Sequence, residues 1–486
     1  MLFNSATFII FLFLVVILYW SLPHKPGLYV LFISSYVFYG FWRIEFLSLV
    51  IISTLVDYFA GLKIYSSQNQ KHKKYYLFLS LFMNLGLLVY FKYLLFIIDN
   101  FNSTASLLGL NFNIPHLNII LPLGISFYTF QTISYSVDVY RGFIKPEKNF
   151  VTYATYVSFF PQLVAGPILR AGEVINQLKS KRSFNIENIN IGIRRVLYGL
   201  FLKVVLADNI SQIVDTGFSQ NISFLSAIDV WTLAFLFGFQ IYFDFSAYSH
   251  IALGSARLIG IEFPENFNFP YLATSPRDFW KRWHISLSSW IRDYLYLPIS
   301  GRKVLDTSKG GLATAADSKQ GKLYNFLPLF ITWAIMGLWH GANWTFVFWG
   351  IYHAFLIAIY RLTSVLHFNI SSKVKGFLGW GFTLLFSMLG WIPFRAKNLD
   401  DTFKMLGKVF NPYEYNFLGL RENDYLIAAL IMISVLVAYF ISKNLKPIRK
   451  FTKLIYPVAE IVQLVIIIIL VFTFLRPISQ FIYFQF

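Results

Sequence analysis

The feature that most constrains this chain is a series of apolar runs, each roughly 20 residues long, that recurs from the first residues to the last. A helix of that length is what the hydrocarbon core of a bilayer requires. Of the 486 residues, 57% are hydrophobic and only 13% are charged. We therefore predict an all-α, polytopic membrane protein, and not the two or three soluble domains that this length would otherwise indicate.

The loops between the apolar runs predict which side each one faces. Basic residues collect in cytoplasmic loops, so the cluster QKHKKYY and the basic region 141–203 should lie inside. The loops 99–118 and 216–225 contain no lysine or arginine and should lie outside. The basic loop 395–421 falls where the alternation predicts the outside, which leaves the count near the C-terminus open. The candidate spans are about 5–20, 28–42, 46–62, 76–98, 119–139, 196–215, 227–253, 326–342, 344–360, 376–393, 425–442 and 458–475.

We predict one integral-membrane domain over the whole chain. Its apolar piece 153–168 cannot cross if the surrounding basic region lies inside, so it should be re-entrant or interfacial. The polar loop 300–322 is predicted to be a mobile cytoplasmic connector. The predicted divisions are N-terminal spans in 1–140, a re-entrant, cytoplasm-facing core region in 141–325, and histidine-bearing and C-terminal spans in 326–486.

Charge and motif content exclude several classes of protein. The net charge of +18 would indicate a nucleic-acid partner in a soluble protein, but cytoplasmic loops account for it here. There is no cysteine, which excludes disulfides and a cysteine-bound acyl intermediate. The sequence contains no GxSxG, GxGxxG, Walker or HExxH motif. It also shows no internal repeat, which weakens the interpretation as a transporter.

An amphipathic helix is predicted from Ser275, which can cap it, to Pro298, which should end it, with Asp278 at the capping-box position. Such a helix lies on or dips into a membrane. Its basic face could hold phosphate groups of a substrate or contact anionic lipid headgroups. The apolar stripe consists of Phe279, Trp283, Leu287, Trp290, Tyr294 and Leu297. The opposite face carries Arg277, Lys281, His284, Ser288 and Arg292.

His340 lies within an apolar run, where an ionisable side chain is a functional hypothesis by default. We expect Gly341 to leave open space beside its imidazole and Asn343 to supply an amide. Trp339 and Trp344 should exclude water. A neutral imidazole in that setting can take a proton from an alcohol and later return it.

Other polar residues fall within apolar runs, and each alone is more often structural than functional. His353 follows His340 by thirteen residues, which places it on a different helix face, so we favour a structural role. The remaining members of this set are Asp57, Asp138, Asp208, Asp244 and His250.

Several long motifs resemble those of the membrane-bound O-acyltransferases, specifically the alginate O-acetylase branch, and are also similar to peptidoglycan O-acetyltransferases. They cover nearly the whole chain in the family's order. They are SFYTFQTISYSVDVYRG, FFPQLVAGPILR, QIYFDFSAYSHIALGSARLIGI, PRDFWKRWHISLSSWIRDYLYLP, MGLWHGANWTFVFWGIYHA and the terminal FIYFQF.

The resemblance implies a fold of about 11–12 transmembrane helices, with re-entrant helices around a central funnel. It also implies that His340 and His284 are catalytic. The expected reaction moves acetyl from a cytoplasmic donor, acetyl-CoA, to an extracytoplasmic partner protein that modifies a polysaccharide such as alginate or peptidoglycan. The expected location is the bacterial cytoplasmic membrane, with no bound cofactor or metal.

Within that reaction the basic face would bind the acyl donor, and three further residues would support the site. The proposed donor-binding residues are Arg277, Lys281 and Arg292. The proposed supporting residues are Asn343, Trp339 and Asp244.

The chain departs from the branch at FDFSAYSH, where FDFSGYSD is usual. Ala247 and His250 therefore replace glycine and aspartate, and no role of that aspartate carries over. Two alternatives to acetyl transfer remain: D-alanyl transfer from a carrier protein to teichoic acid, and a non-enzymatic transporter of a polysaccharide or lipid.

Overall fold

The structure is a computed structural model that describes residues 1–302, 304, 326–364, 371–444, 456–477 and 479–482. Nearly all of the predicted connector 300–322 lies outside these residues, as does the end of the terminal FIYFQF motif. Within them the chain is helical and contains no β-strand. The α-helices are α1 (Ala6–Ser21), α2 (His24–Gly40), α3 (Leu47–Ser66), α4 (Gln70–Leu88), α5 (Leu94–Leu107), α6 (Ile125–Arg141), α7 (Phe150–Ser158), α8 (Ala171–Lys179), α9 (Ile186–Leu200), α10 (Asp208–Ser219), α11 (Ala227–Leu258), α12 (Pro276–Arg282), α13 (Ile285–Ile291), α14 (Leu297–Ile299), α15 (Leu327–His340), α16 (Trp344–Thr363), α17 (Ser372–Arg395), α18 (Leu399–Phe410), α19 (Glu422–Asn444) and α20 (Tyr456–Thr473).

The prediction of an all-α, multi-pass membrane protein is confirmed, although fewer helices than expected qualify as spans by length and composition. Six helices of the described chain are long and apolar enough to cross: Ile44–Ser66, Gln70–Leu107, Ala227–Leu258, Trp344–Thr363, Ser372–Arg395 and Glu422–Ile441. Three shorter apolar helices are Ala6–Ser21, Leu327–His340 and Ala459–Thr473.

The other predicted spans, 28–42, 119–139 and 196–215, contain helices that do not meet those criteria. Helices α2 and α6 have 17 residues each, and α6 is rich in serine and threonine. The third is interrupted by the π-helical turn Phe201–Ala207. Two further π-helical turns lie at Val89–Tyr93 and Arg292–Tyr296.

The described chain forms two compact units. The first comprises Met1–Val196, Ile251–Pro264 and Ser289–Leu323. The second comprises Leu197–His250, Glu265–Ser288 and Tyr324–Phe486.

In the first unit, polar side chains connect helices α3, α4 and α6. The carboxylate of Asp57 accepts hydrogen bonds from Ser80 Oγ, from Asn84 Nδ2 at 2.7 Å and from Ser136 Oγ at 2.8 Å. Asp57 thus has the neighbours that a structural role requires. Helix α7 has only nine residues, too few to cross a bilayer, and the re-entrant or interfacial placement of 153–168 stays a prediction.

In the second unit, α15 and α16 form a helical hairpin whose backbones touch. A Cβ atom on Gly337 would lie 2.1 Å from Phe346 O, and one on Gly350 would lie 2.1 Å from Trp333 O. Only glycine permits this approach. The hairpin carries His340 at the end of its first helix.

Candidate functional site

The helix predicted to begin at Ser275 does begin there but is shorter than predicted. Ser275 Oγ accepts a hydrogen bond from Asp278 N at 3.1 Å, as the capping pattern indicated. Helix α12 then ends at Arg282. His284 has a φ of 41°, a left-handed conformation that a right-handed α-helix cannot contain. The prediction of one continuous helix to Pro298 is therefore wrong.

The break is made by a segment that precedes the helix. Asn268 N donates to Arg282 O at 2.9 Å, and Ile285 N donates to Asn266 O at 2.9 Å. These bonds satisfy backbone groups that a continuous helix would otherwise pair internally. A non-glycine residue in the left-handed region costs about 1–3 kcal/mol and persists only where its surroundings fix it. The segment around Asn266 supplies that constraint for His284.

The side chain of Asn266 also sets the tautomer of His284. Asn266 Oδ1 accepts hydrogen bonds from Ser286 Oγ at 3.0 Å and from Ser286 N at 3.3 Å, and its Nδ2 donates to Ser249 Oγ at 3.3 Å. These partners fix the orientation of the amide. His284 Nδ1 lies 3.1 Å from the same Oδ1, and because an amide oxygen only accepts, Nδ1 carries the proton. Nε2 therefore bears the lone pair.

His284 is not on the basic face on which the helical periodicity placed it. Its side chain is 0% exposed, and burial lowers the pKa of the imidazole to about 3, so the ring is neutral. Arg277 and Lys281 are exposed. Arg292 is half-buried and pairs with Asp293 through Nε at 2.7 Å and Nη2 at 3.1 Å. The predicted basic face does not form as one helix face, because the chain turns at His284.

The imidazole of His340 lies in an aromatic enclosure in the second unit and is only 4% exposed. Its ring centroid is 4.9 Å from that of Trp339, 4.9 Å from that of Trp349 and 5.3 Å from that of Phe394. The ring of His284 lies 6.3 Å from Trp339. Trp339 is therefore a common neighbour of both predicted catalytic histidines, and the structure brings them into one cluster.

Two expectations about the surroundings of His340 are wrong. Gly341 does not leave open space, because a Cβ there would lie 2.1 Å from a ring carbon of Phe346. Trp344 does not seal the site, because it is 52% exposed. Trp349, five residues further along α16, packs against His340 instead.

The amide of Asn343 caps a helix. Its Oδ1 accepts from Thr345 N at 3.0 Å as the N-cap of α16, and its Nδ2 donates to Lys397 O at 3.4 Å. This is the usual role of asparagine at that position. The side chain nevertheless lines the cavity described next.

A cavity of about 270 Å³ adjoins the surroundings of His340. Phe394 contacts the His340 ring, Phe346 fills the space at Gly341, and both line the cavity. Gln240 also lines it, with Oε1 buried and without a hydrogen-bond partner among the described residues. The other lining residues are Lys203, Ala207, Asp208, Ser211, Asp215, Asp244, Asn343, Thr345, Arg395, Ala396, Ser479, Gln480 and Ile482.

Asp244 belongs to a buried ionic group in the wall of this cavity. Lys203 Nζ lies 2.6 Å from Asp244 Oδ1 and 2.9 Å from Asp208 Oδ1. The same Nζ donates to Gln480 O at 3.1 Å, and Ile482 N donates to Asp244 Oδ2 at 2.7 Å. The short segment 479–482 is thus held beside the cavity. The sequence analysis did not single out Lys203, although a lysine within the predicted span 196–215 is the signal that could have identified it.

Two further histidines were considered in the sequence, His353 and His250. His353 is buried among tryptophans, with its ring 4.9 Å from Trp349 and 5.0 Å from Trp280. His250 contacts the ring of Tyr198 at 4.9 Å. No histidine of the described chain lines the cavity, so the structural roles favoured for His353 and His250 stay predictions.

The described residues define a multi-pass, all-α membrane protein with a buried histidine pair that shares one tryptophan. The chain belongs to the membrane-bound O-acyltransferase family, whose model matches residues 27–395. It is therefore an O-acyltransferase.

Three relatives illustrate the range of the family around this chain. It is 37% identical over 445 residues to the probable alginate O-acetylase AlgI of Azotobacter vinelandii, covering 91% of this chain and 84% of that protein. It is 37% identical over 410 residues to the peptidoglycan O-acetyltransferase of Helicobacter pylori, covering 79% and 73%. It is 30% identical over 252 residues to the teichoic acid D-alanyltransferase of Bacillus subtilis, covering 51% and 60%.

Proposed function

We propose that this protein is a membrane-bound O-acetyltransferase that acetylates an extracytoplasmic polysaccharide such as alginate or peptidoglycan. The relatives that cover most of the chain carry acetyltransferase names. We place it in a bacterial cytoplasmic membrane, with acetyl-CoA as the cytoplasmic donor and an extracytoplasmic protein as the partner. The observation that carries the proposal is the enclosed imidazole of His340 beside a cavity with polar walls.

In the proposed reaction His340 is the general base. The hydroxyl oxygen of the acceptor attacks the carbonyl carbon of the acetyl thioester, and its proton passes to the imidazole. The carbon–sulfur bond then breaks, and the proton returns to the thiolate, giving an ester and a free thiol. Trp349 Nε1, buried and without a hydrogen-bond partner among the described residues, is a candidate donor to the oxyanion.

His284 is proposed to position a reactant and not to polarise the acyl carbonyl. Polarisation would require a donor at Nε2, but the proton is at Nδ1 and burial disfavours a second one. The Nε2 lone pair can instead accept a hydrogen bond from the attacking hydroxyl group. Asn266 holds the ring in that orientation.

Arg277 and Lys281 are retained as proposed donor-binding residues, with contact to anionic lipid as the alternative. Both are exposed on α12. Changing both to glutamate should raise the apparent Km for acetyl-CoA in nanodiscs of neutral lipid. An unchanged Km, together with weaker association with anionic vesicles, would assign this face to lipid headgroups.

The central test compares two buried histidines that contact the same tryptophan. In nanodiscs supplied with labelled acetyl-CoA and an acceptor, His340→Gln should abolish acetyl transfer, whereas His353→Gln should retain it. Equal thermal midpoints and membrane insertion exclude a folding defect. Full activity of a correctly inserted His340→Gln protein would overturn the proposal.

The same experiment separates the alternatives. D-alanyl transfer, suggested by the relative from B. subtilis, would leave labelled acetyl-CoA unused, and ester analysis of the modified polymer would detect D-alanine. A transporter would consume no thioester in the absence of a gradient across the membrane.

A further inference from the structure

Three arginines converge in the first unit at the π-helical turn Arg292–Tyr296. We call Arg141, Arg170 and Arg292 the arginine cluster. Arg170 Nη2 lies 2.6 Å from Asp293 Oδ2, and Arg292 binds both carboxylate oxygens of Asp293. Arg141 Nη2 donates to Asp293 O at 3.4 Å. One buried aspartate is thus the meeting point of all three side chains.

The ring of Tyr294 fixes two of the three guanidinium groups. The Cζ atoms of Arg141 and Arg170 lie 5.2 Å and 5.4 Å from its centroid. Its hydroxyl donates to Asp138 Oδ2 at 2.7 Å, which anchors the ring in turn. Cation–π contacts of this kind orient the planar fork of arginine before any ligand arrives.

One donor of this group is left without a partner in the described part of the chain. The three guanidinium groups lie among the carboxylates of Asp138, Asp293 and Glu173, the last of which interacts with Arg170. Both oxygens of Asp293 are already occupied by Arg170 and Arg292. Nη1 of Arg141 is buried and has no hydrogen-bond partner among the described residues. An unpaired buried guanidinium donor is costly, and an anion would satisfy it.

The cluster is open to a ligand on one side. The Arg292 side chain is 31% exposed, whereas Arg170 is 8% exposed, and Arg141 is half-buried at the end of α6. Arg141 and Arg170 also fall in the region 141–203 that charge places on the cytoplasmic side. A half-buried arginine fork facing the cytoplasm matches the planar, bidentate recognition of phosphate.

We propose that the arginine cluster binds phosphate groups of the acyl donor, the diphosphate or the ribose phosphate of coenzyme A, with Arg141 as the principal ligand. The inference rests on the proposed function and deepens it, since it names where the donor is held. A phospholipid headgroup would present the same chemistry, so the test must distinguish the two sources of phosphate.

The test measures binding and turnover separately in nanodiscs of phosphatidylcholine. Arg141→Gln should weaken binding of coenzyme A by about tenfold, the effect of losing one charge-assisted hydrogen bond. Lys145→Gln is the matched control, since Lys145 is an exposed cation four residues away. In turnover, Arg141→Gln should raise the Km for acetyl-CoA with little change in kcat. It should leave the Km for S-acetylpantetheine, which has no phosphate, unchanged.

Each other outcome has a defined meaning. Equal affinity for coenzyme A in Arg141→Gln and the wild type would contradict the proposed site. If Arg141→Gln fails to insert into the membrane, Arg292→Gln replaces it, and we expect the same weakening of coenzyme A binding. If Arg141→Gln leaves coenzyme A binding unchanged and abolishes only the thermal stabilisation of the protein by phosphatidylglycerol, the cluster is a lipid site and the proposal fails. Wild-type protein that binds coenzyme A through Arg141 but transfers no acetyl group would contradict the proposed function and support the binding site. Acetyl transfer that depends on His340 but not on Arg141 would support the proposed function and contradict the binding site.

Discussion

His284 donates a hydrogen bond from Nδ1 to Oδ1 of Asn266 at 3.1 Å, at a residue with left-handed backbone conformation. The bond fixes the ring in one tautomer and directs its Nε2 lone pair away from Asn266. The two residues are eighteen positions apart, so the orientation of the His284 ring depends on a loop that precedes α12.

Replacing Asn266 with aspartate should make activity sensitive to acid. A carboxylate facing Nδ1 favours the imidazolium form and raises the pKa of His284 from its value of about 3. Activity should then fall as the pH decreases from 7.5 to 5.5, because the protonated ring loses its acceptor. The pH profile of kcat/Km for Asn266→Asp, compared with that of the wild type, provides the measurement. Coinciding profiles would show that His284 takes no part in the reaction.

Burial of neutral His284 should make the fold less stable in acid. The folded state holds the pKa at about 3, whereas the unfolded value is near 6.5. The unfolded chain therefore binds the extra proton first, and stability is lost as the pH falls from 6.5 towards 3. At pH 5 the loss is about 2 kcal/mol. Thermal midpoints at pH 7.5 and pH 5 should differ less for His284→Asn than for the wild type, and an equal difference would contradict the prediction.

The helical hairpin should not tolerate a methyl group at Gly337. Its Cβ would meet the backbone oxygen of Phe346 at 2.1 Å, and because backbone cannot move aside as a flexible side chain can, we expect a loss of about 3 kcal/mol or more. Gly381, in α17, has no atom within 4 Å of its Cβ position. Gly381→Ala should therefore be neutral or stabilising by at most about 1 kcal/mol. Thermal unfolding of the two variants provides the comparison, and similar midpoints would exclude the tight crossing.

Removing the Lys203 ammonium should release the C-terminal segment. Lys203→Met leaves Asp208 and Asp244 without their buried cation, which costs about 3–5 kcal/mol. Hydrogen exchange of the Ile482 amide, which donates to Asp244, should accelerate. Asp215→Asn breaks only the more exposed pair with Arg395 and should cost about 1 kcal/mol or less. Unchanged exchange at Ile482 in Lys203→Met would show that the ionic group does not hold this segment.

Local patterns in the sequence were sufficient for some features and insufficient for others. The cap at Ser275, the all-helical class and the apolar setting of His340 follow from neighbours in sequence, and the structure has all three. The break before His284 could not be predicted, because Asn266 creates it through hydrogen bonds between distant positions. The space beside Gly341 was predicted wrongly for a similar reason, since the ring that fills it belongs to the following helix.

Some predictions remain untested by these observations. The assignment of one domain to 1–486 and the roles of the individual site residues stay predictions. For the site residues the structure gives positions: the rings of His340 and His284 both lie near Trp339, whereas Arg277 and Lys281 are exposed.

The π-helical turn Phe201–Ala207 contains Lys203, and the π-helical turn Arg292–Tyr296 contains Arg292 and Asp293. A π-helical turn is a helix that has taken in one extra residue. Deleting a single residue from either turn would restore regular α-helical winding and remove the widening that sets the directions of the side chains within the turn. In the first turn this would displace Lys203 relative to Asp244. In these two segments the number of residues is therefore constrained together with the identity of the charged side chains.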